Sequence, residues 1–335
     1  MTRLGLILAA IGLLAAACSG GGDGDAADGT GLRVPGRVVY TQGSDIFLQD
    51  SPQGGQADAG TVDPFVVAEE RISLLSPTFS PDGSQVAYIA FDESVGLDEQ
   101  IGSDLRIVGP DGADRIVRES AATGEFFWTP RWTRDGGGLI YAHQVQVNGG
   151  LGALFTVERL DLASLQIEEL VRDARDPDLA PDGASLVVVA DPPLNSSLAI
   201  VDLPAGTQRT LAAADDGLTS IRVPQFSPNG QSVAFLASGE GPSLSSRVTV
   251  AFNGMQDLWL IRPDGSGLRR LTTVLEDQPD FSWSDDGRHI LLRGAFGTYV
   301  VEVETRTTTT LGPGEFHGWH DWQGTLPDET PAQAQ

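Results

Sequence analysis

The chain has 335 residues, of which 40% are hydrophobic and 20% charged, so its apolar content is enough for one large β domain or two ordinary domains. With 46 acidic and 21 basic residues the formal net charge is −25, which argues against a nucleic-acid partner. All basic residues are Arg and there is one Cys, which excludes a Walker-type phosphate loop, a Schiff-base lysine, an intrachain disulfide and a thiolate zinc cluster.

The first 17 residues have the pattern of an export signal. Arg3 precedes an apolar run of eleven residues, Leu4–Leu14, which is shorter than the roughly 20 residues needed to span a bilayer. The small residues that follow, together with Cys18, resemble the lipobox of bacterial lipoproteins, in which the Cys is lipidated and becomes the mature N-terminus. We predict a lipoprotein signal peptide over 1–17, lipidation of Cys18 and anchoring to the outer face of the cell membrane. The alternative is ordinary secretion after cleavage at Ala17, which would leave a free thiol.

Residues 18–36 are rich in Gly, Asp and Ala and show no periodicity, which predicts a flexible tether. The acidic run Asp23–Gly29 has some likeness to a calcium-binding loop. Ala27 and Val34 stand where that loop needs oxygen ligands, so the run is interpreted as a solvated linker.

One short pattern recurs along the rest of the chain: Pro, any residue, a large apolar anchor, a small or polar residue, and then Pro-Asp-Gly or a relative of it. The copies are Pro77–Gly83, Pro130–Gly136, Pro177–Gly183, Pro224–Gly230 and Trp283–Gly287. The anchors are Phe79, Trp132, Leu179, Phe226 and Trp283. Repeats of about this length indicate propellers or solenoids. In each turn Pro presets φ and Gly accepts a left-handed backbone, so the Asp is predicted to form the turn rather than to catalyse a reaction.

Each copy continues into short strands that make four per repeat, the content of a propeller blade. At the N-terminus Arg37–Tyr40 and Ser44–Leu48 match the later strands of a repeat but lack an anchor strand. At the C-terminus Phe316–Trp322 matches an anchor strand that nothing follows. We therefore predict an all-β, six-bladed propeller of four-stranded antiparallel blades over 37–323. Its ring closes by pairing of the N- and C-terminal strands, and 324–335 forms a disordered tail.

These Pro-x-aromatic-Ser-Pro-Asp-Gly repeats resemble the TolB-type, WD-like β-propeller family over nearly all of 37–323. The resemblance implies the propeller fold and an extracytoplasmic location, since the family's eponymous member is periplasmic and binds a peptidoglycan-associated lipoprotein through its propeller. That member also carries an N-terminal α/β domain, where this sequence has only the predicted tether.

A search for catalytic motifs finds neither G-x-S-x-G nor H-E-x-x-H. His317, His320 and Asp321 form a compact titratable cluster that suits a metal or proton-transfer site, or strand residues that pack between blades. His317 and His320 would point to opposite faces of a strand, which favours packing. We predict no catalytic residue, no metal ligand and no cofactor. The six Trp residues, which could stack on carbohydrate, are interpreted as blade core.

The ligand-binding residues stay unknown at this stage, although two features are candidates. Polar side chains share the repeat position before the anchor and would form a rim if that position faces the channel. They are Thr78, Arg131, Asp178, Gln225 and Asp321. The long connections 92–103 and 239–256 are candidates for a variable binding surface.

Two functions from different classes fit these observations. The favoured one is a lipid-anchored, monomeric, non-enzymatic binding or scaffold module for a protein, peptide or other envelope component, held at the membrane by the lipid on Cys18. The alternative is a lactonase- or cyclase-like hydrolase with a metal in the propeller channel, which needs carboxylate or Asn ligands converging from several blades.

Overall fold

The computed structural model describes residues 34–42, 44–51, 64–69, 71–92, 102–147, 152–190, 196–239, 255–313 and 318–325. Within these ranges the chain forms 25 β-strands and one 3₁₀ turn, Ala214–Asp216. The predicted signal peptide, Cys18 and most of the predicted tether lie outside the described residues.

The strands form six antiparallel sheets, each of which is one blade. Blade 1 contains β1 (Gly36–Gln42), β2 (Asp45–Ser51) and β3 (Pro64–Val66). Blade 2 contains β4 (Ile72–Phe79), β5 (Val86–Asp92), β6 (Ser103–Val108) and β7 (Asp114–Arg118). Blade 3 contains β8 (Glu125–Trp132), β9 (Gly138–Val147), β10 (Gly152–Asp161) and β11 (Ile167–Arg172).

The second half of the chain repeats this arrangement. Blade 4 contains β12 (Ala174–Leu179), β13 (Ser185–Ala190), β14 (Ser197–Asp202) and β15 (Thr207–Ala212). Blade 5 contains β16 (Leu218–Phe226), β17 (Val233–Gly239), β18 (Met255–Ile261), β19 (Arg269–Arg270) and β20 (Glu276–Asp277), which pairs with β18. Blade 6 contains β21 (Asp280–Trp283), β22 (His289–Arg293), β23 (Gly297–Glu302) and β24 (Thr308–Pro313). The last strand, β25 (His320–Gln323), completes blade 1.

In blades 2 to 6 the strand that carries the anchor pairs with the strand that follows the turn, as in the order β4-β5-β6-β7, whereas in blade 1 the anchor strand β25 pairs with β1 from the other end of the chain. The anchor strands of neighbouring blades lie against one another around the ring and line its central channel. The six-bladed, all-β prediction is therefore confirmed, with the short β20 as an addition that the repeat pattern does not predict.

The turns follow the predicted chemistry. Gly83, Gly183 and Gly230 have φ of +69°, +72° and +69°, the left-handed region that the turn requires. Asp82 accepts hydrogen bonds at Oδ1 from the Ser80 hydroxyl at 2.6 Å and the Ser84 amide at 3.0 Å. The turn Asp thus shapes the hairpin, as the sequence indicates.

The hydrophobic core lies between blades. The second strand of a blade is apolar on both faces, because each face packs against a neighbouring blade, and β13 is an example with the sequence SLVVVA. Between blades 2 and 3, Ile89 packs in one buried cluster with Phe127 and Tyr141. The outer strands are more exposed, as in β15, where four successive residues face solvent.

The ring closes inside blade 1. β25 pairs antiparallel with β1, with Trp322 opposite Val38, which confirms the predicted closure of the ring. The Trp322 indole N–H donates to the Pro35 carbonyl at 2.8 Å, and the Val34 side chain is 1% exposed. The Gly324 carbonyl accepts the Asp285 amide at 2.9 Å. The contacts that close the ring, called the seam below, therefore include residues just outside 37–323.

Candidate functional site

The polar residues before each anchor connect neighbouring blades. Asp321 Oδ2 on β25 accepts the Phe79 amide at 2.9 Å and the Thr78 hydroxyl at 3.1 Å, both on β4. Asp178 Oδ2 on β12 accepts the Phe226 amide of β16 at 2.7 Å. A carboxylate one residue before the anchor of one blade therefore accepts the backbone amide of the anchor in the next blade.

Two further residues at this position make related contacts. The Gln225 amide group donates to the Phe281 carbonyl at 2.7 Å, and Arg131 Nε lies 3.7 Å from Asp178 Oδ1. The repeat position that could have formed a free polar rim is thus occupied by bonds between blades. These side chains hold the inner ring together.

Charges from opposite sides of the ring meet in the channel. The charge of Asp321 in blade 1 acts on the pKa of Asp178 in blade 4. The charge of Arg131 in blade 3 acts on the pKa of Asp280 in blade 6. Burial raises the pKa of Asp178 to about 6 and Asp321 adds to the rise, while Arg131 and the bonded backbone amides oppose it. Burial acts in the same direction on Asp280, but the hydrogen bond and charge of His320 bring its pKa below the ordinary value. The inner wall is a closely coupled set of charges.

Four anchor strands carry a bulge at one repeat position. Each has a residue with left-handed φ directly before a Pro, and the pairing register shifts there. These residues are Ser76, Thr129, Asp176 and Val223, with φ of 50°, 46°, 49° and 45°. A left-handed backbone is strained for β-branched Thr and Val, so the surrounding ring must hold these bulges in place. The repeated Pro is the sequence signal for them, although its pattern does not reveal the sign of φ.

The predicted titratable cluster does not come together as one site among the described residues. His320 is buried, and its Nε2 lies 3.2 Å from the Leu291 carbonyl oxygen, while Asp321 is bonded to blade 2. His317 lies outside the described residues. Across the described ranges no three His, Cys, Asp or Glu side chains are grouped so that they could hold a metal ion.

The tryptophans pack within and between blades. Trp259, Trp283 and Trp322 are 2%, 7% and 2% exposed. Trp132 is partly buried and donates from its indole nitrogen to the Thr78 carbonyl of the neighbouring blade at 3.1 Å. Trp128 packs beside Phe91, with ring centroids 6.0 Å apart. These positions agree with the interpretation of the anchors as blade core.

A cleft opens where the ring of turns is irregular. At three blade junctions the turn Gly of one blade lies over the turn Pro of the preceding blade, and a Cβ at Gly230 would lie 3.3 Å from Pro181. Arg134 stands at the Pro position in blade 3, and a Cβ at Gly183 in blade 4 would have no neighbour within 4 Å. A cleft of about 800 Å³ lies at this junction.

The cleft is lined by hydrogen-bond donors and acceptors together with the apolar residues Leu160 and Leu179. Its charged residues are Arg134, Asp135, Arg159, Asp161 and Glu168. One Arg134 nitrogen donates to the Pro181 carbonyl, and Arg159 pairs with Glu168. The Thr133 hydroxyl and Gly137 amide donate to Asp135 and lower its pKa. Such a lining suits a polar ligand with both donors and acceptors. Sequence reasoning missed the cleft, although Arg134 in place of Pro was its visible signal.

Two other predicted features have little or no structural description. Residues 93–101 and 240–254, which make up most of the long connections, lie outside the described residues, as does Cys18. In the part of the chain that is described, no helix has the length and apolar character to cross a membrane.

Comparisons with solved structures show the same fold at low sequence identity. TolB from Acinetobacter baumannii is 15% identical, with a TM-score of 0.60 over 87% of this chain and 67% of the other. A chain of a nidogen–laminin complex gives 0.59 at 11% identity, covering 85% and 97% of the two chains. A puromycin-hydrolysing peptidase from Mycobacterium tuberculosis gives 0.54 at 16% identity, covering 85% and 43%. At these identities the likeness shows a TolB-like β-propeller fold alone, and it is shared by proteins of different function.

No protein-family model matches the chain, and no curated protein is similar to it in sequence.

Proposed function

We propose that this chain is a lipid-anchored, extracytoplasmic β-propeller that binds a protein, a peptide or another component of the cell envelope without transforming it. The observation that carries the proposal is that polar side chains of the inner wall bond to neighbouring blades, which leaves the cleft as the place for a ligand. Asp178, Gln225 and Asp321 are bonded between blades, while the cleft at the junction of blades 3 and 4 keeps polar groups that can face a ligand.

The cleft supports a ligand with many hydrogen-bonding groups. Arg134 uses one of its five N–H donors on Pro181, and carboxylates of Asp161 and Glu168 lie in the same lining. A peptide segment offers amide donors and carbonyl acceptors to such a surface. Ile167 is 41% exposed at the cleft and provides an apolar contact. The presence of TolB and of a nidogen–laminin chain among the structural neighbours supports protein binding as the class of function.

The localisation rests on the sequence. An apolar run, small residues and Cys18 make up the lipobox-like segment, and residues 18–36 would tether the propeller to the lipid. In this proposal the propeller lies outside the cytoplasmic membrane, within reach of envelope components.

Site-specific photocrosslinking in cells tests the proposal. A photoreactive phenylalanine analogue replaces Ile167 at the cleft or Gln208 on exposed β15, which is away from it. We expect discrete crosslinked products from position 167 and none from position 208. Fractionation of the same cells should find the wild-type chain in membranes, and Cys18→Ser should release it or block its processing.

The matched variant is Arg134→Pro. It restores the Pro found in the turns of blades 2, 4 and 5, so it should preserve the turn while it removes the Arg134 guanidinium and its bond to the Pro181 carbonyl from the cleft. The crosslinks from position 167 should then disappear. Equal products from positions 167 and 208, or products unchanged by Arg134→Pro, would contradict the cleft as the binding site.

A further inference from the structure

A histidine in blade 3 lies between two buried carboxylates. His143 is on β9, with Glu125 on the adjacent β8 and Glu158 on the adjacent β10. The two Glu residues are 7% and 8% exposed. His143 Nδ1 lies 2.7 Å from Glu158 Oε1, and its Nε2 lies 3.0 Å from Glu125 Oε1. The second contact is close enough for an ion pair but is not a well-aligned hydrogen bond.

This geometry depends on the charge of the imidazole ring. A neutral ring has one N–H, so one of its nitrogens would direct a lone pair toward a carboxylate oxygen about 3 Å away. The imidazolium ion has an N–H on both nitrogens and is attracted to both Glu125 and Glu158. A ring nitrogen lies beside each carboxylate, so both contacts can be N–H donations only when the imidazole is protonated.

Other charged and titratable groups surround the imidazole of His143 and contribute to the charge balance of the cluster. Arg118 Nη2 on β7 lies 3.4 Å from Glu125 Oε1, and the Tyr141 hydroxyl donates to Glu158 Oε2 at 2.8 Å. With His143 charged, two carboxylates face two cations. Burial alone would raise the pKa of Glu158, but hydrogen bonds from His143 and Tyr141 and the charges of His143 and Arg118 lower it. Phe127 supplies the apolar contact, with its ring centroid 5.3 Å from that of His143.

The cluster spans a junction between blades. Arg118 ends the outer strand of blade 2, and Glu125 begins the inner strand of blade 3. The second oxygen of Glu125 accepts the Ala121 amide at 2.6 Å, so the same carboxylate holds the connection between the two strands. Glu158 has a second donor in Tyr141, whereas Glu125 relies on charged neighbours and this one amide.

We propose that Arg118, Glu125, His143 and Glu158 form a pH-sensitive clamp that fastens blade 2 to blade 3 while His143 is protonated and loosens as the pH rises and the ring loses a proton. Loss of that proton leaves Glu125 with one cation fewer, in a site that is nearly inaccessible to water. The connection around Ala121 is the segment released first. This inference does not depend on the proposed ligand or on the cleft.

Nuclear magnetic resonance and hydrogen exchange on the full propeller test the clamp. At pH 6 the ¹⁵N shifts of His143 should show protons on both ring nitrogens. From pH 6 to pH 9 the protection factor of the Ala121 amide, corrected for intrinsic exchange, should fall by about tenfold, the expected effect of leaving an oxygen of a buried carboxylate without its cationic partner. Amides of β13 in blade 4, remote from the cluster, should keep their protection.

The matched variants are His143→Gln and Glu158→Gln. In His143→Gln the protection of Ala121 should no longer change between pH 6 and pH 9. Glu158→Gln keeps a bonding partner for Tyr141 while it removes one charge, and at pH 6 His143 should carry less of its second proton than in the wild type. A single proton on the wild-type ring at pH 6, or the same pH course of Ala121 protection in wild type and His143→Gln, would overturn the proposal. The wild-type ring spectrum decides even if a variant fails to fold.

Discussion

The Asp178 side chain connects two blades and, when charged, lowers the stability of the fold. Its carboxylate accepts the Phe226 amide and so connects blades 4 and 5. It also lies in a poorly hydrated part of the channel, with Asp321 across from it, and its pKa is raised to about 6. In the unfolded chain the pKa of an Asp side chain is lower, about 3.9. The stability contributed by protonated Asp178 is therefore complete below about pH 4 and is lost as the pH rises through about 6.

Asp178→Asn should consequently raise the free energy of unfolding at pH 7 to 8 by up to about 3 kcal/mol, a figure that already includes the attraction to Arg131, with no gain at pH 4. The amide oxygen can still accept the Phe226 N–H, so the connection between blades survives. Urea denaturation across pH 4 to 8 measures the difference.

Asp82 is the matched contrast for this prediction. Hydrogen bonds from Ser80 and Ser84 lower its pKa to about 2, so its charged form is the one that stabilises the fold. That contribution is present above about pH 4 and lost as the pH falls through about 2. Asp82→Asn should therefore lower stability at pH 7, although slightly, since an Asn occupies the equivalent position 229. A shift of both variants in the same direction at pH 7 would show that the two environments have been misjudged.

At the scale of an element, the Pro-Asp-Gly turns do more than reverse the chain. Gly83 and Gly183 have nearly the same left-handed φ, +69° and +72°. A Cβ at Gly83 would lie 2.6 Å from Gln323 Oε1 and 2.9 Å from Arg37 Nη1, whereas a Cβ at Gly183 would have no neighbour within 4 Å. The two turns therefore share the backbone requirement and differ in what lies above them.

Gly83→Ala and Gly183→Ala separate these effects. Both variants should lose about 1 to 2 kcal/mol through the left-handed backbone. Gly83→Ala should lose roughly 1 kcal/mol more, because Arg37 and Gln323 donate to carbonyls of this turn and must move. Thermal unfolding of the two proteins compares them directly. Equal losses would mean that contacts at the seam contribute nothing at this turn.

The sequence could predict the blades because each copy of the repeat has its anchor and its turn in the same order. Five anchors and five turns recur every 47 to 57 residues, and each turn Gly has a left-handed backbone that explains why it is Gly. The cleft and the histidine cluster depend on contacts between residues far apart in sequence. Arg134 departs from the Pro of three other turns, but that difference alone does not indicate that Gly183 will lie beside a gap, and no motif surrounds His143. Inter-blade bonds such as Asp178 to Phe226 are likewise determined only once the ring has formed.

At the scale of the whole molecule, the stability of the ring should depend on one short strand, β25. β25 has four residues, yet it supplies the inner strand of blade 1, the buried Trp322 and the Asp321 bonds to blade 2. Without β25, β1 would be an open edge beside the channel and the apolar contacts of blades 1 and 6 would be exposed. The seam therefore affects blades on both sides of it.

Removal of residues 314–335 should abolish cooperative unfolding or lower the melting temperature by more than ten degrees, roughly the effect of losing several kcal/mol in a domain of this size. Removal of residues 327–335 alone should leave the melting temperature unchanged. Circular dichroism at increasing temperature measures both. A protein without residues 314–335 that melts like the wild type would show that β25 is dispensable.

The same seam has a consequence for how the chain folds. The Trp322–Pro35 hydrogen bond joins residues 287 apart, and closing a flexible loop of that length costs about 5 kcal/mol in chain entropy, against about 2 for a ten-residue hairpin. The blades between them consist of neighbouring hairpins that form from local contacts. Folding should therefore proceed blade by blade and end with the capture of β25 by β1, a step slowed by the distance its two strands must bridge. A circular permutant that joins residue 325 to residue 34 and opens the chain elsewhere would move this last step to another blade, since a ring built from a linear chain always needs one contact between its two ends.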